Sequence, residues 1–182
     1  MFRVLVFSLC VLFGSTPGRA DAEQDCSKTA EPDSAIKGCT QVIDRGGAIE
    51  WAYHNRANAY ADKGDLDRAM ADYDRALALD PKRASVYYNR ALAHKVRGTF
   101  DRAVEDYTHA IDLKPDDALA YYNRANIYLN KREHDRAIAD YTRAIDINPK
   151  YADTYYNRGI SYRAKGFADN ADAKKARELG IK

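Results

Sequence analysis

Proline and glycine are scarce, at 5 and 10 among 182 residues, and the remainder is a foldable mixture, 46% hydrophobic and 31% charged. An excess of one charge sign is missing as well: 29 Lys+Arg stand against 27 Asp+Glu, a net charge of +2. A pI near 8.3 therefore marks no nucleic-acid binder, and no basic stripe is visible. Lysine and arginine alternate with aspartate along the chain, the pattern of solvated helix faces. Long apolar runs are absent except for VLVFSLCVLF at residues 4–13, half the ~20 residues a spanning helix needs. The run follows a positive MFR and precedes GSTPGRADA, which carries an A-x-A pattern at Ala20-Asp21-Ala22. Residues 1–22 read as a secretory signal peptide cut after Ala20 or Ala22, the alternative being an N-terminal membrane anchor. The expected location is the periplasm of a Gram-negative bacterium or the medium, with membrane contact only through the leader.

Cysteine is rare, with only three in the chain. Cys10 leaves with the leader, and none stands in a lipobox-like context. Cys26 and Cys39 remain as an even pair, and export permits a disulfide between them; two free thiols are the alternative. Their spacing is not C-x-x-C, so a redox site is not expected. The residue patterns of catalysis are also lacking. His54, His94, His109 and His134 are scattered, with no H-E-x-x-H and no Cys/His cluster. No G-x-S-x-G, P-loop or dinucleotide-binding glycine pattern occurs. The expectation is a non-enzyme with no catalytic residues, metal, cofactor or small-molecule substrate.

What the chain does have is repetition. YYNR stands at 87–90, 121–124 and 155–158, and YHNR at 53–56, each copy starting 34 residues after the last. Three complete units follow, 50–83, 84–117 and 118–151, then a partial unit with a capping helix at 152–182 and an N-terminal extension with its own capping helix at 23–49. Apolar residues recur at three- and four-residue steps, as at Ala69, Tyr73, Ala76 and Leu77, which is a helical period. Asp67, Asp101 and Asp135 lead the second halves, where aspartate can cap free N–H groups. Pro81, Pro115 and Pro149 fall where a helix must stop. Gly64 and Gly98 permit a tight turn between the halves, and Arg132 in their place predicts a looser one. Small residues (Ala57, Ala91, Ala125, Gly159) alternate with large ones (Tyr73, Tyr107, Tyr141), which fixes how successive helices nest. Each unit is a helix–turn–helix that needs neighbours, since one hairpin cannot offset ordering ~34 residues at about 1.5 kcal/mol each.

At these residues the chain resembles the tetratricopeptide repeat family over 50–166. The resemblance implies an all-α fold, a right-handed helix–turn–helix solenoid, and a protein–protein interaction module with another protein or a peptide segment as partner. Residues 33–46 look like the second helix of a unit lacking its first, and 165–182 like a shortened second helix.

YYNR divides by residue. Tyr53, Tyr87, Tyr121 and Tyr155 are core. Arg56, Arg90 and Arg124 are expected to pair with Asp72, Asp106 and Asp140, whereas Arg158 meets Lys174 at the matching position. The resemblance places the second aromatic and the asparagine on the concave face: His54, Tyr88, Tyr122 and Tyr156, with Asn55, Asn89, Asn123 and Asn157. Three residues on, Asn58, Leu92 and Asn126 share that face. Amides that donate and accept, flanked by phenol rings, would bind an extended peptide backbone. The other reading is that these amides bond neighbouring helices, leaving a structural spacer or assembly subunit with no peptide groove in use. Basic residues that some members use to grip acidic tails are missing around His54, Asn58, Asn89, Leu119 and Asn123.

Overall fold

The structure, a computed structural model, describes residues 17–28, 30–46, 49–167 and 171–181. The apolar run and Cys10 lie outside the described residues. Among those described, ten α-helices and no strand occur: α1 (Pro17–Cys26), α2 (Pro32–Asp44), α3 (Glu50–Asp62), α4 (Leu66–Leu79), α5 (Ala84–Arg97), α6 (Phe100–Leu113), α7 (Ala118–Asn130), α8 (His134–Ile147), α9 (Ala152–Ala164) and α10 (Ala171–Glu178). Each odd-numbered helix packs on the even one that follows and on the even one before it. First helices also meet directly, α1 with α3, α3 with α5 and α7 with α9. That makes the first helices the inner layer of a curved stack and the second helices its outer layer.

The small-against-large alternation builds the core. Ala57, Ala69, Ala91, Ala103, Ala125 and Ala137 have no exposed surface, and Tyr73, Tyr107 and Tyr141 are at most 1% exposed beside them. Small side chains let the backbones approach, and the phenol rings fill the remaining space. Helices α4, α6 and α8 end at Leu79, Leu113 and Ile147, two residues before Pro81, Pro115 and Pro149.

Three expectations are corrected. In the full chain residues 33–46 do not lack a first helix: α1 begins inside the expected leader, of which cleavage after Ala22 would leave only residues 23–26 in the helix, and is tied to α2 by a Cys26–Cys39 disulfide. Gly38 is where the two backbones cross, since a Cβ there would lie 2.5 Å from the Cys26 nitrogen. Second, Asp67, Asp101 and Asp135 do not cap. The N-cap residues are Asp65, Thr99 and Glu133, and of these Asp65 accepts a hydrogen bond through its side chain, from the Arg68 N–H. The helices begin two residues earlier than the aspartates require, so these side chains point outward. There they pair with the last turn of the next first helix or the residue after it: Asp67 with Arg97, Asp101 with Lys131 at 2.6 Å and Asp135 with Lys165. Asp33 and Lys63 begin the same series. Third, the turn at Arg132 is not looser. Gly64, Gly98 and Arg132 take φ of 77°, 81° and 62°. The following N–H reaches back to the carbonyls of Tyr60, His94 and Tyr128 at 2.9, 3.0 and 2.9 Å. Packing on both sides holds Arg132 in the left-handed region despite its side chain.

Candidate functional site

A first helix is contacted from several sides, so its polar side chains need partners inside the stack. The arginine of each YYNR shows how. Arg56, Arg90 and Arg124 each grip the expected aspartate with two bonds of 2.7–2.9 Å, to Asp72, Asp106 and Asp140. The remaining guanidinium nitrogen turns the other way, to the preceding second helix: to Thr40, Asp74 and Thr108 at 3.0, 2.6 and 2.8 Å. This half of the clamp went unread in the sequence. Its signal was a hydrogen-bonding residue 16 positions before every arginine. Arg158 is not unpartnered. It donates twice to Asp172, at 2.8 and 2.7 Å, and once to Thr142. The tie spans 14 residues instead of 16, so the partner is Asp172 and not Lys174 two positions on. The first tyrosine lies beside the same guanidinium, with centroids 5.6–5.8 Å away in all four copies. A bidentate guanidinium–carboxylate pair is directional, so the clamp fixes register between helices. Attraction to the carboxylate raises Arg56 and Arg158 above the usual guanidinium range, with burial opposing it.

The asparagines stand on the first helices, and their amide nitrogens are engaged within that layer. Asn55 donates to the Cys26 carbonyl at 3.2 Å. Asn89 donates to Asn58 at 3.0 Å and approaches His54 Nε2 at 2.9 Å. Asn123 donates to the Tyr88 hydroxyl and the Leu119 carbonyl, both at 3.0 Å, and accepts from Lys95. Asn157 donates to Asn126 at 3.0 Å and to the Tyr122 hydroxyl at 3.3 Å. The ties from Asn89, Asn123 and Asn157 to the preceding first helix span 31 or 35 residues, and that from Asn55 spans 29. Asn58 and Asn126 also accept the hydroxyls of Tyr73 and Tyr141, at 2.7 and 2.6 Å. Leu92 at that register cannot accept, and the Tyr107 hydroxyl is buried without a partner.

The His54 amide partner decides its tautomer: Asn89 donates, so Nε2 carries the lone pair. Burial, with a smaller push from Arg83, lowers the imidazole to about 4. Between α3, α4 and α5 the layer opens into a cleft of about 370 Å³, with Leu66, Leu92 and Val96 on its apolar side and Asn58, Asp62 and Asn89 on its polar side. Val96, Leu119 and Tyr156 are the large apolar side chains left open near this face, at 73%, 46% and 45% exposure.

A TPR repeat model matches residues 51–95 and 96–132, and Tetratricopeptide repeat models match 118–151 and 140–178. The chain belongs to the tetratricopeptide repeat family. Its repeats are those of a protein-interaction module. Among solved structures, MamA protein is 27% identical, with 88% of this chain and 89% of that chain covered at a TM-score of 0.79. MamA 41-end from Desulfovibrio magneticus RS-1 is 20% identical over 91% of this chain and 93% of that one, at 0.75. YrrB, described as a TPR protein with an unusual peptide-binding site, is 19% identical over 92% of this chain and 87% of that one, at 0.76. The latter two likenesses bear on the fold alone. No curated protein sequence matches the chain.

Proposed function

We propose that this protein binds an extended segment of a partner along its inner layer, in an exported, oxidising compartment. The division of labour differs from a row of free amides. Asn55, Asn89, Asn123 and Asn157 brace the curvature, with their nitrogens already engaged. Contact falls to the side chains between them: Leu92 and Val96 in the cleft, Leu119 and Tyr156, with Tyr88 and Tyr122 half-buried beside them. The observation that carries this reading is the cleft, which combines an apolar wall with carboxylate and amide groups on one inner face. YrrB's description as a peptide binder supports it by analogy of fold. The Cys26–Cys39 disulfide supports the compartment.

A rigid spacer is the second reading, and one observation favours it: the amide ties spend donors that a peptide backbone would otherwise use. Selection of unstructured peptides against the full chain separates the two. Groove capture predicts peptides whose binding falls at least tenfold with Leu119→Asp or Val96→Asp and is unchanged by Arg143→Ala on the outer layer. Peptides indifferent to both inner substitutions, or none selected, reject the groove and leave the spacer.

A further inference from the structure

The second repeat departs from its sisters at several positions that meet in one place on the outer layer. Tyr60, Tyr128 and Tyr162 occupy one register of the first helices, and His94 occupies it in α5. In the first and third repeats an arginine lies over that ring, Arg68 at 4.4 Å from the Tyr60 centroid and Arg136 at 4.0 Å from that of Tyr128. Arg136 also donates to the Tyr128 hydroxyl at 2.7 Å. Both arginines are held from behind by the acidic N-cap residue, Asp65 or Glu133.

In the second repeat both supports are gone. The cap is Thr99, and the His94 ring turns back to it, with Nδ1 2.8 Å from the Thr99 hydroxyl oxygen. The other ring nitrogen stands 3.8 Å from Asp106. Arg102, the counterpart of Arg68 and Arg136, has no hydrogen bond, ion pair or ring contact among the described residues. Beside it, Glu105 replaces the alanines at 71 and 139, and it too has no such partner there. Where the sister repeats have a phenol ring under a guanidinium, this one has an open cleft of about 510 Å³ between α4 and α6, with Met70, His94, Arg102 and Glu105 among its walls. Its floor is the Asp74–Arg90–Asp106 clamp.

We propose that this cleft receives a tyrosine side chain from a partner protein. Arg102 lies over the ring and donates to the phenol oxygen, as Arg136 does to Tyr128 within the chain. Glu105 accepts a hydrogen bond from the phenol hydroxyl, a role for which the sister repeats have no counterpart. A phenol both accepts and donates, so it matches one free cation and one free carboxylate side by side. This outer site does not depend on the inner-layer reading.

The probe is 4-methylphenol, the tyrosine side chain alone, titrated into the ¹⁵N-labelled full chain while the amides of residues 94–106 are followed. Saturable shifts in about the millimolar range are expected for so small a ligand. His94→Tyr supplies the missing ring from within, so it should weaken the probe at least tenfold. Arg102→Ala, an exposed change that leaves the core intact, should do the same and covers the case in which His94→Tyr repacks badly. Acetate is the control for a bare anion site on Arg102. No saturable shift, binding retained in both variants, or acetate saturating the same amides as tightly as the phenol overturns the proposal.

Discussion

Arg132 shows what one residue in the wrong conformational region costs. A side chain at φ 62° is disfavoured by about 1–2 kcal/mol, and glycine at the equivalent turns avoids this. Part of that gain is offset by glycine's larger entropy when unfolded. Arg132→Gly should therefore stabilise by about 1 kcal/mol, seen as a rise of about 2–4 °C in thermal midpoint. Leu92 presents the reverse case. Its sister residues Asn58 and Asn126 take a buried tyrosine hydroxyl, and Tyr107 lacks that partner. Leu92→Asn gives the hydroxyl an acceptor while removing apolar contact, and the two effects should cancel to within about 1 kcal/mol. Leu92→Ala, which only removes contact, should lose about 2 kcal/mol in a denaturant melt. A loss for the asparagine variant as large as for alanine would show that the hydroxyl needs no partner.

At the scale of helices, the guanidinium clamp sets how each first helix sits between two second helices. Removing one partner strands a buried carboxylate, so Arg124→Ala should cost about 3–5 kcal/mol. Replacing the pair by Arg124→Met with Asp140→Leu should recover most of that in the same melt. The His54 tie adds a pH dependence. Folding holds this imidazole at about 4 against an ordinary 6.5, because burial disfavours its charged form. The unfolded chain thus binds more protons between those values, and stability rises with pH there. The contribution is complete above about 6.5 and is lost as pH falls toward about 4, by up to about 3 kcal/mol. His54→Tyr, which copies the Tyr88–Asn123 and Tyr122–Asn157 ties, should flatten the stability–pH curve by about one proton in that window. The half of the clamp within each repeat was legible in the sequence because both residues recur with the period. The half between repeats was not, because Thr40, Thr108 and Thr142 give way to Asp74, and threonine on a helix usually signals nothing. The amides' destination was equally hidden: spacing put them on one face but could not say whether neighbouring helices would reach them first.

Across the whole molecule each unit touches only its neighbours, so damage at one end should stay there. The Cys26–Cys39 bond holds the first helix pair alone. Cys26→Ser with Cys39→Ser should raise hydrogen exchange in α1 and α2 while α5 to α8 keep their protection. Uniform loss along the chain would mean the stack melts as one. The fold was readable because the 34-residue period, the helical spacing of apolar residues inside it and the family resemblance agree, and a period carried by several units survives substitution at single sites. The ends were not, since α1 carries none of the YYNR pattern and α10 is tied two residues early. That early tie has a consequence for how such a chain can grow. Across the complete units each arginine clamp keeps an offset of 16 residues on both sides, so a tandem duplication of a whole unit would bring matching halves of each clamp and lengthen the superhelix. The shortened closing tie at Asp172 breaks that offset, so a copy of the α9–α10 pair placed inside the stack would not supply matching halves in the same register.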